Sequence, residues 1–183
     1  MSNPYQGSAQ WFSDRLGKLT GSRMAAAMAF KKNGEPSKER DDLMLEVVFE
    51  RREDQIFEHF VSKEMKWGIE QEPFAREAYE VETGEIVKLC GFVDHPEIEW
   101  LGASPDGLLS KNGLVEFKCP TSKTHFTYQV NGVVPDQYKP QMILQMLCTG
   151  RTWCDFVSFD PRVKPAHQLF VVRFEPTQAE RDA

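Results

Sequence analysis

The segment Ala103–Pro120, ASPDGLLSKNGLVEFKCP, predicts two short strands joined by a tight turn. The turn falls at Lys111-Asn112-Gly113, because Asn and Gly tolerate the positive φ angles that short hairpins require. Pro105 interrupts strand pairing. We therefore expect Asp106 at a bend of the chain and not inside a strand ladder.

The spacing of the charges in this segment predicts a cleft lined by acid. Glu116 and Lys118 lie two residues apart on the second strand, so they share one face, with Phe117 on the other. Two carboxylates, from Asp106 and Glu116, suit a hard cation such as Mg²⁺ or Mn²⁺. A lysine beside them can orient a water or stabilise charge on a phosphate oxygen. The alternative is a hairpin whose charges face only solvent, since short motifs often mislead.

The rest of the chain predicts alternating helices and strands. Candidate N-caps are Ser8, Thr20 or Ser22, and Ser37. Further helices are expected over residues 67–83, 122–130 and 135–149. Strands are expected over residues 86–93, 99–103, 107–110 and 114–119, followed by TWCDFVSF and QLFVVRFE. This order predicts an α/β fold with a mixed sheet and helices on both of its faces.

Composition and charge narrow the class of protein. A chain of 183 residues with net charge −6 fits one globular domain. Residues 1–40 carry seven basic and three acidic residues, so a local basic groove for nucleic acid stays possible. The four scattered cysteines do not have the spacing of a zinc or iron–sulfur site. Without a leader or an apolar run of about 18 residues, the chain is expected to be cytosolic.

Several short blocks, in this order, resemble one nuclease family. They are RLGKLTGSR (Arg15–Arg23), WGIEQEPFAR (Trp67–Arg76), SPDG, EFKCP, YKPQMILQM (Tyr138–Met146) and FDPR (Phe159–Arg162). They resemble the phage lambda-type exonucleases, or YqaJ-like viral recombinases, of the PD-(D/E)XK nuclease superfamily. The resemblance implies a restriction-endonuclease-like core with a mixed central β-sheet flanked by helices. It also implies a single nuclease domain over residues 1–183, with N-terminal helices over 8–60 and a catalytic core over 66–175.

The same resemblance implies roles in a metal-dependent site. Asp106, Glu116, Glu72 and the backbone carbonyl of Phe117 would hold Mg²⁺ or Mn²⁺, with two ions expected. Lys118 would position the attacking water. Gln141, on a late helix, would complete the catalytic set. Taken alone, Glu72 would be read as part of a solvated acidic face.

The resemblance also implies residues that bind the end of a DNA duplex. The family's pocket for a 5′-phosphate corresponds here to Arg15, Ser22, Ser104 and Lys123. Lys123 stands where the family usually has arginine, which keeps the charge but loses the bidentate geometry. Met65 corresponds to an apolar wedge at the duplex end, although a methionine of the core is an equal alternative.

The function implied is a Mg²⁺-dependent 5′→3′ exonuclease. It would digest linear double-stranded DNA from 5′-phosphorylated ends during recombination by single-strand annealing. The implied partners are duplex DNA ends, a single-strand annealing protein and two further copies in a homotrimer. The implied setting is the cytoplasm of a bacterial host, with a phage or prophage gene and no membrane association. A sequence- or structure-specific endonuclease and a non-catalytic module that binds DNA ends remain alternatives.

Overall fold

A computed structural model describes residues 6–57, 62–110 and 112–182 of the chain. Residue 60, where the predicted N-terminal helical region ends, and Lys111 of the predicted turn lie outside the described residues. The chain forms two compact units. The first combines Met1–His59, Cys90–Pro105 and Gln137–Gly150, and the second combines Phe60–Leu89, Asp106–Asp136 and Arg151–Ala183.

The elements follow one another along the chain as helices, then short strands, then helices and longer strands. The helices are α1 (Ala9–Arg15), α2 (Met24–Ala27), α3 (Lys38–Glu53), α4 (Lys63–Thr83), α5 (Ser122–Asn131), α6 (Lys139–Thr149) and α7 (Gln178–Asp182). The strands are β1 (Leu19–Thr20), β2 (Val93–Asp94), β3 (Leu101–Ala103), β4 (Gly107–Leu108), β5 (Gly113–Lys118), β6 (Trp153–Phe159) and β7 (Leu169–Phe174).

Side-chain caps fix several helix starts. Ser8 accepts a hydrogen bond from the N–H of Trp11, and Ser37 accepts one from the N–H of Arg40, which confirms both predicted caps. The predicted cap of the second helix at Thr20 or Ser22 is wrong, because Arg23 stands at the N-cap position of α2 and Thr20 only precedes a 3₁₀ turn. The hydroxyl of Thr20 makes no capping bond and instead accepts from the guanidinium of Arg15.

The first unit contains a three-stranded sheet in the order β1-β3-β2. Strands β1 and β3 are parallel, with Leu19 opposite Leu101, whereas β2 and β3 are antiparallel. Helix α6 packs on this sheet, and Ala103, Leu144 and Cys148 form a small apolar core between them. This core fixes the segment that carries Ser104.

The second unit contains a four-stranded mixed sheet in the order β4-β5-β6-β7. The central pair β5 and β6 is parallel, and the two outer pairs are antiparallel. Ala75 and Tyr79 of α4 pack on Val115, Phe117 and Val157 of this sheet. The α/β fold with mixed sheets flanked by helices is therefore confirmed, with the strands divided between two sheets.

The predicted strand over residues 86–93 is wrong for most of its length. Only Val93 belongs to a strand, and Lys88 makes one isolated bridge with Leu108. The apolar alternation has another cause, because Val87 is buried in the core of the second unit while Ile86 is 76% exposed. Across the described ranges, every helix is too short or too polar to cross a membrane.

Candidate active site

Strand β5 and the bend before β4 bring together the charged groups that the sequence singled out. Lys118 Nζ lies 2.5 Å from Glu116 Oε1, which confirms that the two side chains share one face of the strand. Asp106 accepts a hydrogen bond of 2.8 Å from the N–H of Phe117 through its Oδ2 atom. The bend at Pro105-Asp106 is thereby tied to the strand that carries the other carboxylate.

The hydrophobic pattern of β5 explains why these charges are held rigidly. Val115 and Phe117 are buried against α4 and β6, so the backbone of the strand is fixed on both sides. Glu116 has no exposed surface, whereas the Lys118 side chain is 25% exposed. Glu116 therefore lies on a buried face that it shares with Leu114, and Lys118 is the cation at the exposed edge of that face.

A third carboxylate, Glu72 of α4, acts on this cluster through space. Burial and the charge of Glu116 raise the pKa of Glu72. Burial, followed by the charges of Glu116 and Glu72, raises the pKa of Asp106 well above its ordinary value. Lys118 opposes both shifts but does not cancel them. The cluster of Glu72, Asp106, Glu116 and Lys118, called here the acidic cluster, thus holds more negative than positive charge.

A divalent cation fits the acidic cluster chemically. Carboxylate and carbonyl oxygens are the ligands that Mg²⁺ and Mn²⁺ prefer, and crowded carboxylates are stabilised by a cation among them. Among residues 6–57, 62–110 and 112–182, no three His, Cys, Asp or Glu side chains are arranged to hold a metal by themselves. A pair of carboxylates, Asp106 and Glu116, supplemented by a backbone carbonyl and water, is the donor set that this geometry favours. The roles of Asp106, Glu116, the Phe117 carbonyl and Glu72 as metal ligands stay predictions.

In the first unit, three of the residues expected at the 5′-phosphate pocket lie together. The guanidinium of Arg15 is 3.4 Å from Ser104 Oγ and 3.5 Å from Ser22 Oγ. It also lies 3.4 Å from Thr20 Oγ1 and 4.1 Å above the ring of Trp11. Burial, and then the nearby charge of another arginine, lowers the pKa of Arg15 to about 10. One cation surrounded by hydroxyl groups is suited to an anion.

The remaining residues from the sequence analysis lie on separate helices. Gln141, on α6 of the first unit, contacts Gly21, where an added Cβ would lie 3.4 Å from its Cγ atom. Lys123 is exposed on α5 of the second unit, and Met65 is 53% exposed on α4. Exposure of Met65 argues against the alternative of a core methionine. Binding roles for Gln141, Lys123 and Met65 stay predictions.

Sequence reasoning missed two contacts of Arg15. The indole N–H of Trp11 donates to Ser104 Oγ at 2.8 Å, and its ring faces the guanidinium. Thr20 was expected to cap a helix. The spacing of Trp11 and Arg15 could have revealed the first contact, because residues four apart are neighbours on one helix face.

Comparisons with known proteins place the chain in a family. Residues 10–152 match the YqaJ-like viral recombinase domain. The chain resembles the crystal structure of an alkaline exonuclease, LHK-Exo, from Laribacter hongkongensis. The sequences are 42% identical over 94% of this chain and 84% of the other, with a TM-score of 0.86. A second structure of LHK-Exo, in complex with dAMP, gives a TM-score of 0.87 at 42% identity, covering 94% and 85% of the two chains.

A phage-related exonuclease from Haemophilus somnus 129PT shares the fold at 17% identity and a TM-score of 0.65, over 90% of this chain and 87% of that one. No curated protein sequence matches the chain. The family match covers the acidic cluster and also Arg15 with Ser22 and Ser104, called here the Arg15 group. It agrees with the resemblance found in the sequence. The chain belongs to the YqaJ-like viral recombinase family.

Proposed function

We propose that this protein is a Mg²⁺-dependent 5′→3′ exonuclease that digests linear double-stranded DNA. The observation that carries the proposal is the acidic cluster, with Lys118 held 2.5 Å from Glu116 and with the pKa of Asp106 raised by burial and by the charges of Glu116 and Glu72. The 42% sequence identity between this chain and an alkaline exonuclease supports nuclease activity. The complex of that relative with dAMP agrees with a mononucleotide product.

The reaction is hydrolysis of a phosphodiester. The oxygen of water attacks phosphorus, the bond from phosphorus to the 3′-oxygen of the terminal nucleotide breaks, and that oxygen takes up a proton. A 5′-mononucleotide leaves, and the shortened strand keeps a 5′-phosphate. Lys118 is suited to orienting the water, because its ammonium is partly exposed and anchored by Glu116.

Asp106, Glu116 and the Phe117 carbonyl would hold Mg²⁺ or Mn²⁺, and Glu72 would add a further carboxylate. When bound, the metal supplies a Lewis acid that activates water and offsets charge on the phosphate oxygens. Asp106 is oriented for this role by the N–H of Phe117, which leaves its second carboxylate oxygen outside that bond. The expectation of two ions remains part of this proposal.

The Arg15 group is the proposed site for the terminal 5′-phosphate. A guanidinium with hydroxyl groups of Ser22 and Ser104 within 3.5 Å offers charge-assisted hydrogen bonds to a doubly charged phosphate. Lys123 is proposed to contribute a second charge, Gln141 to complete the catalytic set and Met65 to act as a wedge at the duplex end. These three assignments rest on the family resemblance.

The proposed setting is DNA recombination by single-strand annealing in a bacterial cell. Removing one strand from its 5′ end leaves a 3′-ended single strand, which is the substrate of an annealing protein. A homotrimer and a phage or prophage origin complete this proposal and rest on the family resemblance.

A substrate comparison tests the proposal. Wild-type protein with Mg²⁺ should degrade a linear duplex to mononucleotides and leave a covalently closed circle of the same sequence intact. Cleavage of the closed circle would favour the endonuclease alternative. Binding of the linear duplex without hydrolysis, with either Mg²⁺ or Mn²⁺, would favour a non-catalytic module that binds DNA ends.

A further inference from the structure

The motif FDPR, from Phe159 to Arg162, has no role in the function proposed above. Its arginine lines a cavity of about 300 Å³ in the second unit. The other lining residues come from the start of α4, the segment after β5 and the N-cap of α5; they are Lys63, Glu64, Trp67, Cys119, Pro120 and Thr121. This volume is at the lower end of cavities that hold small ligands.

The guanidinium of Arg162 is fixed in place from three directions. Its Nε–H donates to Asp160 Oδ1 at 2.6 Å, and its Nη2 donates to the carbonyl of Pro120 at 2.7 Å. Its planar group lies 4.5 Å above the ring of Trp67. Asp160 is completely buried, so it anchors the guanidinium from below. A long side chain held in this way loses little entropy when it binds a ligand.

Arg162 nevertheless keeps binding capacity. Its side chain is 43% exposed, and its Nη1 group makes no hydrogen bond to any residue in the described part of the chain. Trp67 also lines the cavity. Its buried Nε1–H has no acceptor among the described residues. Buried donors without partners are uncommon in folded proteins, so this one marks a place where an acceptor is expected.

The electrostatic setting favours an anion. Lys63 opens helix α4, and Thr121 is the N-cap of helix α5, so two helix N-termini with their partial positive charge reach the cavity wall. Lys63 adds a full positive charge. Glu64 and Asp160 bring negative charge; Arg162 engages Asp160 Oδ1, whereas the buried Oδ2 atom has no hydrogen-bond partner among the described residues. Fixed donors, not a large net charge, therefore define the site.

The cavity also lies beside the acidic cluster. Cys119, in its wall, directly follows Lys118 on the chain. Burial, together with the charges of Glu72, Asp106 and Asp160, raises the pKa of the Cys119 thiol to about 12. The thiol is therefore within electrostatic reach of both the proposed metal ligands and the anchor of Arg162.

We propose that this cavity binds a non-reacting phosphodiester of the DNA strand, next to the one that is cleaved, through Arg162 and Lys63. Such a contact positions the strand and does not take part in bond breaking. The inference rests on the proposed function, because it needs DNA at the acidic cluster.

The test measures DNA binding separately from cleavage. The dissociation constant of a short linear duplex is determined in EDTA at several NaCl concentrations, for wild type, Arg162→Gln and Lys63→Gln. The logarithm of the affinity falls as the logarithm of the salt concentration rises. In each variant this fall should be less steep by about one unit of slope, the effect of losing one phosphate contact. Lys164→Gln is the matched control, because Lys164 is an exposed cation two residues from Arg162 that does not line the cavity, and its slope should equal that of wild type.

A second variant keeps the test decisive. Lys63 is exposed and opens its helix, so Lys63→Gln is expected to fold even if Arg162→Gln, which leaves Asp160 without its partner, does not. Digestion of linear duplex by wild type, with slopes of both lining variants unchanged, would overturn this inference and leave the proposed function standing. A wild-type protein that neither binds nor digests the duplex would overturn both.

Discussion

Two carboxylates, the buried Glu50 in the first unit and the half-buried Asp106 in the second, have opposite electrostatic surroundings. Glu50 is 2% exposed and receives hydrogen bonds from Arg23 at 2.5 and 2.9 Å, and from the N–H groups of Gly17 and Phe57. Burial alone would raise the pKa of Glu50, but these donors lower it overall.

Around Asp106 the effects that raise the pKa outweigh those that lower it. Burial raises its pKa, and the charges of Glu116 and Glu72 raise it further, against Lys118 and one backbone N–H. A carboxylate that serves the fold is surrounded by donors, as Glu50 is. A carboxylate crowded by others costs free energy in the absence of a cation, which is what a binding site for a metal requires. Without reference to any motif, the contrast predicts that Glu50 serves the fold and that Asp106 serves the chemistry.

The largest expected effect is on cleavage by the acidic cluster. Asp106→Asn and Glu116→Gln should each lower the rate of duplex digestion at least about a thousandfold, the upper end of the cost of losing a single charge-stabilising group. Asn keeps an acceptor for the N–H of Phe117, so the bend should persist. Asp106→Asn should also unfold at a higher temperature than wild type without metal, because one like charge is removed. Near wild-type digestion by either variant would show that the cluster is not catalytic.

A smaller loss is expected at Lys118. Lys118→Ala should reduce the rate about 10²–10⁴-fold, the range of a group that positions water or a proton, with little change in the Mg²⁺ concentration needed for half-maximal rate. The measurement is the initial rate on linear duplex across a Mg²⁺ titration. If added Mg²⁺ restored the rate of the variant, Lys118 would only shape the metal site.

At Glu50 the expected effect is on stability and not on chemistry. Glu50→Gln should lower the free energy of unfolding by about 3 kcal/mol, because Arg23 loses its buried partner. Digestion per folded molecule should stay near that of wild type. Denaturant unfolding measured beside activity checks both parts.

The same pair should make stability depend on pH. Since the pKa of Glu50 is lower in the folded chain than its ordinary value of 4.5, its stabilisation is present above that value and is lost as the pH falls through the lowered one. The difference in unfolding free energy between wild type and Glu50→Gln should therefore shrink below about pH 4.5. A difference that stays constant down to pH 3 would mean that the charge of Glu50 is not what stabilises the unit.

The smallest expected effect concerns the DNA end. A 5′-phosphorylated duplex should be digested several-fold to about tenfold faster than its 5′-hydroxyl counterpart at subsaturating DNA, since charge-assisted bonds are about twice as strong as neutral ones. Arg15→Ala should reduce that ratio towards one. Equal rates of the wild type on both substrates would remove the 5′-phosphate from the account while leaving the acidic cluster.

Sequence patterns predicted strand β5 correctly and segment 86–93 incorrectly. Strand β5 was predictable because Val115 and Phe117 alternate with Glu116 and Lys118. The alternation did not predict burial, since Glu116 is as completely buried as Val115. Segment 86–93 shows a similar alternation but pairs only at Lys88, since Val87 is buried by side-chain packing rather than by a strand ladder. Local pattern cannot distinguish these two causes of burial.

Within the candidate sites, the sequence indicated the charged residues and missed what surrounds them. Asp106, Glu116 and Lys118 follow from a local motif. The contacts of Arg15 with Ser104 and of Arg162 with Trp67 join residues 89 and 95 positions apart, and only the tertiary fold brings them together. The hydrogen-bond donors around Glu50 were missed for the same reason, since Gly17 and Arg23 belong to other parts of the chain than the helix that carries Glu50.

The contrast between Glu50 and Asp106 is tested most directly by thermal unfolding with and without Mg²⁺. Saturating Mg²⁺ should raise the melting temperature of wild type and of Glu50→Gln, by the equivalent of roughly 1–3 kcal/mol when the ion is at about 10–100 times its dissociation constant. Asp106→Asn should melt at the same temperature with and without Mg²⁺. If Mg²⁺ stabilised Asp106→Asn as much as wild type, the acidic cluster would not be the metal site, and the central claim would be wrong.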